Sequence, residues 1–163
     1  MEFKLTNATI KFNNEELKKI YVEITNGCNL SCKMCYRNFW EDSIGFMNKD
    51  LFKKLMIQLN DFDTLETFHF GGIGEPLIHP DFSEFLEMAK KKFTTYVSTN
   101  GTLLNEKISR KIIDLGIDRI IFSIDSPEEQ GFKDIRGISK NIIYRNIKNI
   151  ISMKREKRQD FPE

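Results

Sequence analysis

The chain of 163 residues holds three cysteines, all within one octapeptide, Cys28-Asn29-Leu30-Ser31-Cys32-Lys33-Met34-Cys35. Thiolates are soft ligands, and three so close together can share a metal centre. Their number selects among centres. A cubane iron–sulfur cluster is ordinarily closed by four cysteines, so three ligands leave one iron open to another molecule. A structural zinc wants four Cys or His ligands and would have to recruit His69 or His79 from far along the chain. A disulfide framework is disfavoured by the odd count and by an opening, Met1-Glu2-Phe3-Lys4-Leu5, that lacks a signal-peptide pattern. Iron–sulfur leads, with zinc and plain reduced thiols open beside it.

The elements that must position these thiols begin with the strand-like run Ile20-Tyr21-Val22-Glu23-Ile24. From there strand-like and helix-period stretches alternate, the pattern of strand–helix units around a parallel sheet. Four units are expected: Tyr21–Thr25 with a helix over Asn48–Leu59, Thr67–Phe70 with Asp81–Lys91, Thr95–Thr99 with Asn105–Leu115, and Arg119–Ile124 with Lys140–Arg155. The apolar spacing sends Leu51, Leu55 and Leu59 inward with Phe52 and Met56, then Phe82, Phe85, Leu86 and Ala89, then Ile108, Ile112 and Leu115, then Ile143, Ile147, Ile150 and Ile151. Asn48 and Asn105 read as helix caps, and Gly116 as a helix stop. Runs such as Ile120-Ile121-Phe122 suit strands covered on both faces. The fold class is α/β, a partial parallel (β/α) barrel of about four units. Residues 1–19 read as an N-terminal extension, with Phe3–Leu5 and Thr9–Phe12 as short edge strands and Glu15–Lys19 as a helical turn; residues 20–163 read as the core domain.

Composition narrows the partners. Charged residues make up 30% of the chain yet cancel to a net charge of +1, so no general field draws nucleic acid or acidic lipid. No apolar run approaches the ~20 residues of a membrane span. The expected location is the cytoplasm, where thiols stay reduced. The basic Lys154-Arg155-Glu156-Lys157-Arg158 reads as a solvated helix end that complements the helix dipole.

In parallel α/β sheets, ligands bind beyond the carboxyl ends of the strands. The first such loop carries the cysteines. The second is Gly71-Gly72-Ile73-Gly74-Glu75-Pro76, whose glycines admit close backbone approach to a small molecule. The third is Ser98-Thr99-Asn100-Gly101; the fourth is Ser123-Ile124-Asp125-Ser126-Pro127, where alternation sets Ser123 and Asp125 on one face. Singly, such loops are common turn punctuation. Their joint placement on one rim beside three cysteines marks a site. His69 is either a satisfied strand histidine or a side chain turned to a substrate, His79-Pro80 reads as a helix start, and Phe39 and Trp40 read as loop packing.

Taken in order, these segments resemble the radical S-adenosylmethionine (radical SAM) superfamily. Its cysteine signature, spaced three and then two residues apart, is matched by Cys28, Cys32 and Cys35, and the flanking Asn29-Leu30-Ser31 and Lys33-Met34-Cys35-Tyr36-Arg37 are similar to the peptide- and cofactor-maturing subgroup. The likeness runs from about Ile20 to Ile150. It implies a [4Fe-4S] cluster on Cys28, Cys32 and Cys35. It also implies S-adenosylmethionine bound along Gly71, Gly72, Gly74, Glu75, Ser98, Asn100, Ser123 and Asp125, with Met34 where the family often packs an aromatic residue on the adenine. Arg136, in Asp134-Ile135-Arg136-Gly137, resembles an arginine that pairs with the cofactor carboxylate.

The implied reaction is reductive cleavage of the cofactor to a 5′-deoxyadenosyl radical. The electron comes from an external donor, and the radical acts on a peptide, protein or small cofactor precursor. That half of the reaction requires no general acid or base, and no catalytic side chain is assigned. The family core has about six strand–helix units, of which four are legible here, so the expectation is a truncation or a barrel completed by self-association or a partner chain. The alternatives are a non-catalytic partial barrel serving as scaffold or partner subunit, and a small zinc-binding module.

Overall fold

The computed structural model describes residues 2–5, 8–11, 17–41 and 43–163, the first two stretches as backbone. Strand β1 (Glu2–Leu5) pairs antiparallel with β2 (Ala8–Lys11) in a sheet of their own, apart from the edge of the main sheet. Of the helical turn expected over Glu15–Lys19, residues 15 and 16 lie outside the described residues, as does Phe12, and Lys19 already opens a strand.

The main sheet is parallel, in the order β3 (Lys19–Val22), β4 (Thr67–Phe70), β5 (Thr94–Thr99) and β6 (Arg119–Phe122). Helices α1 (Lys49–Gln58), α2 (Phe82–Lys90) and α3 (Glu106–Asp114) form the crossovers, and α5 (Lys140–Glu156) follows β6. This is the α/β partial barrel expected from the alternation. Strand β3 spans Lys19–Val22 rather than Tyr21–Thr25, its ladder running from Lys19 opposite Thr67 to Val22 opposite Phe70. Thr25 instead makes a lone bridge to Phe46, and its hydroxyl donates to the Gly45 carbonyl at 2.7 Å. Asn48 and Asn105 cap their helices, accepting from the Leu51 and Ile108 amides.

A short helix absent from the sequence reading, α4 (Glu129–Arg136), follows the fourth loop and ends at left-handed Gly137. Only Phe132 and Arg136 of its residues are buried, too weak a stripe to read as a period.

One face of the sheet carries the core. Val22, Phe68, Phe70, Val97 and Ile120 meet Phe52, Phe85, Leu86, Ile112 and Ile113 of the helices, with the Phe52 and Phe85 rings stacked at 4.0 Å. The inward stripe is shifted from that expected: Leu51 and Ile151 are exposed while Phe52 and Ile113 are fully buried. A strict four-residue repeat drifts about 40° per step on a 3.6-residue helix, which carries Leu51 off the face.

The opposite face is only partly covered. Tyr21 is 66% exposed and Ile121 39%, against the expectation of strands buried on both sides. Register sets Tyr21, His69, Tyr96 and Arg119 side by side across the four strands. This wall faces the inside of the open barrel. The free edge of β6 is met by the backbone of Glu163, which donates to the Asp118 carbonyl and accepts from the Ile120 amide, both at 3.0 Å.

Candidate active site

The four loops beyond the strand ends enclose one cavity of about 320 Å³, within the size range of small-molecule sites. It is lined by Cys28, Cys32, Met34, Cys35, Tyr36, Gly72, Ile73, Gly74, Ser98, Thr99, Asn100, Ser123 and Arg136.

The cysteine loop is held at both ends. The Met47 amide donates to the Ile24 carbonyl ahead of it, and the Lys33 amide donates to the Ile135 carbonyl of α4, each at 2.8 Å. Within it, Arg37 Nη1 donates to the Leu30 carbonyl at 3.1 Å and Asn38 Nδ2 to the Cys32 carbonyl at 2.9 Å. Cys28 Sγ accepts from the Leu30 amide at 3.4 Å and lies 3.7 Å from Asn100 Nδ2. Cys32 is buried, which pushes its thiol up, while the Arg136 guanidinium acts in the opposite direction.

The glycine loop is wedged against the exit of β3. A Cβ on Gly74 would stand 1.9 Å from the Thr25 carbonyl oxygen and 2.7 Å from that of Gly27, so only glycine fits. Glu23 Oε1 accepts from the Ile73 and Gly74 amides at 2.5 and 2.9 Å. Glu75, 2% exposed, accepts from the Thr99 hydroxyl at 2.7 Å, the Asn100 amide at 2.6 Å and the Leu77 amide at 3.1 Å. Burial pushes its carboxyl up against the pull of these donors. Asn100 is fixed in turn, donating to Asn29 Oδ1 at 2.9 Å, and Asn146 of α5 supports the same loop through the Gly101 carbonyl at 2.8 Å.

Of the residues selected from sequence, the three cysteines, Met34, Gly72, Gly74, Ser98, Asn100, Ser123 and Arg136 come together on this cavity. Gly71, Glu75 and Asp125 do not line it. Gly71 packs on His69 and Ser98; Glu75 spends its carboxylate on the neighbouring loop; Asp125 pairs with Arg136 Nε. Arg136, 8% exposed, thus meets Asp125 on one side and has Nη1 4.0 Å from Cys32 Sγ on the other. Tyr36, Ile73 and Thr99, each within a segment read from the sequence, also line the cavity, and Glu23, which no motif marks, supports it from behind. A glutamate inside an otherwise apolar strand run was the available signal for the last.

Neither histidine joins the cysteines. His79 Nε2 meets the Met47 carbonyl at 2.9 Å and its Nδ1 accepts from the Asp81 amide at 3.0 Å. Among the described residues, no three Cys, His, Asp or Glu groups converge on a position for a single metal ion. Phe39 is 82% exposed, outside any packing.

His69, 3% exposed, stacks on Tyr21 at 4.4 Å and shares a 2.7 Å hydrogen bond between Nε2 and Ser98 Oγ, directly behind the cavity wall. Burial, with Lys19 adding, lowers its pKa from 6.5 to about 4. A folded-state pKa below the unfolded one contributes stability above pH 6.5 that is lost as pH falls towards about 4, since only the unfolded chain takes up the proton in that window. The expected NMR result is a His69 ring signal that stays flat between about pH 8 and pH 5.5; a midpoint near the ordinary histidine value would contradict this burial.

The family model described as the radical SAM superfamily matches residues 22–159. Among curated proteins, the tungsten-containing aldehyde ferredoxin oxidoreductase cofactor-modifying protein of Pyrococcus furiosus is 38% identical over 142 residues, covering 86% of this chain and 40% of that protein. A probable GTP 3′,8-cyclase of Methanococcus maripaludis is 32% identical over 123 residues, covering 74% and 40%. The chain therefore spans about two fifths of the length of these relatives. Among solved structures, anSMEcpe with bound AdoMet and the Cp18Cys peptide superposes with a TM-score of 0.71 at 24% identity, covering 85% of this chain and 41% of that one. That likeness is one of fold.

Proposed function

Because this chain belongs to the radical SAM superfamily, we propose that Cys28, Cys32 and Cys35 hold a [4Fe-4S] cluster and that the rim beside them holds S-adenosylmethionine, in an enzyme that modifies a peptide, protein or cofactor precursor. The observation that carries this reading is the single cavity shared by three cysteines, the glycine loop and Arg136. The donor set fits: soft thiols, amide donors to Cys28 and a buried guanidinium beside Cys32 suit an anionic cluster. When bound, the cluster and cofactor supply one-electron cleavage of a carbon–sulfur bond.

The protein's own residues bind and orient. Gly72, Ile73 and Gly74 offer backbone close enough for a ligand's amino end, Arg136 is the cation for its carboxylate, and Ser98, Asn100 and Ser123 are hydrogen-bonding partners for the ribose side. Met34 offers a polarisable contact for the base. Gly71, Glu75 and Asp125 belong to the same rim, where Glu75 ties the second loop to the third and Asp125 orients Arg136. We read residues 20–163 as this functional unit and 1–19 as an extension to it. A cofactor or peptide precursor as substrate is supported by the cofactor-modifying role in the name of the Pyrococcus relative and by the peptide in the superposed structure. An external one-electron donor is required by the cleavage.

Anaerobic reconstitution with iron and sulfide is expected to give a cubane whose electron paramagnetic resonance signal shifts on addition of S-adenosylmethionine, and dithionite is expected to release 5′-deoxyadenosine. A chain that takes up no cluster, or one indifferent to the cofactor, would overturn the reading. A cluster that binds the cofactor but never cleaves it would favour a scaffold role for the chain.

A further inference from the structure

We propose that Glu23 is a positioning residue that sets the acceptor face of the glycine loop, and so governs affinity for the ammonium group of S-adenosylmethionine. The inference rests on the reading above and concerns a residue outside the cavity lining.

Glu23 follows directly on β3 and is half-buried beneath the loop. One of its carboxylate oxygens, Oε1, takes two consecutive amides, Ile73 at 2.5 Å and Gly74 at 2.9 Å. A trans peptide directs its N–H and C=O to opposite sides. Pulling the amides of Ile73 and Gly74 down onto Glu23 therefore turns the carbonyls of Gly72 and Ile73 the other way. Both residues line the cavity, so the loop has fixed acceptors on the side away from Glu23. An ammonium group carries only donors, and acceptors already oriented for it bind more tightly than a loop that must first reorganise.

The loop and Glu23 are fitted to one another. A Cβ on Gly72 would lie 2.5 Å from Glu23 Oε1 and 2.8 Å from its Cβ, so Gly72 leaves the space the glutamate occupies. The carboxylate has work the sequence run around it does not explain. Its neighbours Val22 and Ile24 face the core, while Glu23 turns to the barrel side to reach backbone fifty residues further on.

The test compares two probes on the reconstituted chain: S-adenosylmethionine, which carries the ammonium group, and 5′-methylthioadenosine, which does not. Glu23→Ala removes the acceptor, Glu23→Asp keeps the charge but withdraws it by one methylene, and Glu23→Gln keeps one oxygen for the two amides. In Glu23→Ala and Glu23→Asp, affinity for S-adenosylmethionine is expected to fall by about 10- to 100-fold, the scale of lost hydrogen bonds to a charged group. Affinity for 5′-methylthioadenosine and iron content should stay within about 2-fold, and Glu23→Gln should recover most of the loss. An equal loss for both probes, or a loss that tracks iron content, would make Glu23 merely structural and overturn the inference. Unchanged affinities would overturn it as well. If Glu23→Ala does not fold, Glu23→Asp and Glu23→Gln decide the matter between them. Failure of the native chain to bind S-adenosylmethionine would overturn the functional reading itself, whereas native binding with indifferent variants sinks this inference alone.

Discussion

Cys32→Ala, reconstituted under the conditions that load the native chain, is expected to retain less than about one tenth of its iron and to lose 5′-deoxyadenosine formation by at least about 10³-fold. The chain has no fourth cysteine to substitute for a lost ligand, and neither histidine stands at the cavity. The proposed cluster would be held by three thiolates, and the loss of one would leave it only two protein ligands. Cys32 is the most consequential of the three because it is the buried one and because Arg136 stands against it. Removing one small buried sulfur costs only about 1 kcal/mol of packing. Circular dichroism and the melting temperature of the unloaded variant should therefore stay near the native ones, which separates ligand loss from misfolding. A Cys32→Ala chain with native iron and sulfide would show that the centre lies elsewhere.

The division between what the sequence discloses and what it conceals follows from where the information lies. Period is a property of side chains, so Phe82, Phe85, Leu86 and Ala89, and the strand Thr67–Phe70, are readable from spacing alone. The cysteine spacing and the glycine loop are likewise written in residue types. Relations between a side chain and distant backbone leave no such mark. Glu23 and Glu75 look alike as letters, yet one binds amides of its neighbouring loop from beneath and the other laces the second loop to the third. Nothing in the residues that supply those amides discloses it.

The open face of the sheet leaves no mark in the sequence either. An apolar run such as Ile120-Ile121-Phe122 suggests burial on both sides, yet Ile121 is 39% exposed. Helix α4 is not legible in the sequence, because two buried residues four apart are no pattern. It is nonetheless what brings Arg136 to Cys32 and receives the Lys33 amide at its Ile135 carbonyl. The site is thus more dependent on the fourth unit than its motif-bearing loops suggest.

The second large effect concerns the glycine that admits no side chain. Gly74→Ala is expected to reduce S-adenosylmethionine affinity by more than about 100-fold and to destabilise the chain by roughly 3 kcal/mol, within the range for overpacking at a rigid site. The reason is space rather than backbone freedom, since Gly74 is not among the glycines with positive φ. Its added methyl would fall 1.9 Å from the Thr25 carbonyl oxygen and 2.7 Å from that of Gly27, and neither is the end of a flexible side chain. The glycine loop would have to retreat by more than an ångström or so to reach ordinary contact distances. That retreat would break the 2.8 Å bond from the Glu75 amide to the Gly27 carbonyl and lift the Ile73 and Gly74 amides off Glu23. It would also disturb the buried Glu75 carboxylate, whose three donors come from its own loop, at Leu77, and from the third loop, at Thr99 and Asn100. Gly45→Ala provides the control: there a Cβ meets nothing nearer than Asn26 Oδ1 at 4.0 Å, and both affinity and melting temperature should be unchanged. Calorimetric titration of the reconstituted variants, beside thermal denaturation, measures the two effects. Native affinity in Gly74→Ala would mean that the loop yields freely, and that its close seat on the exit of β3 does not shape the cofactor site.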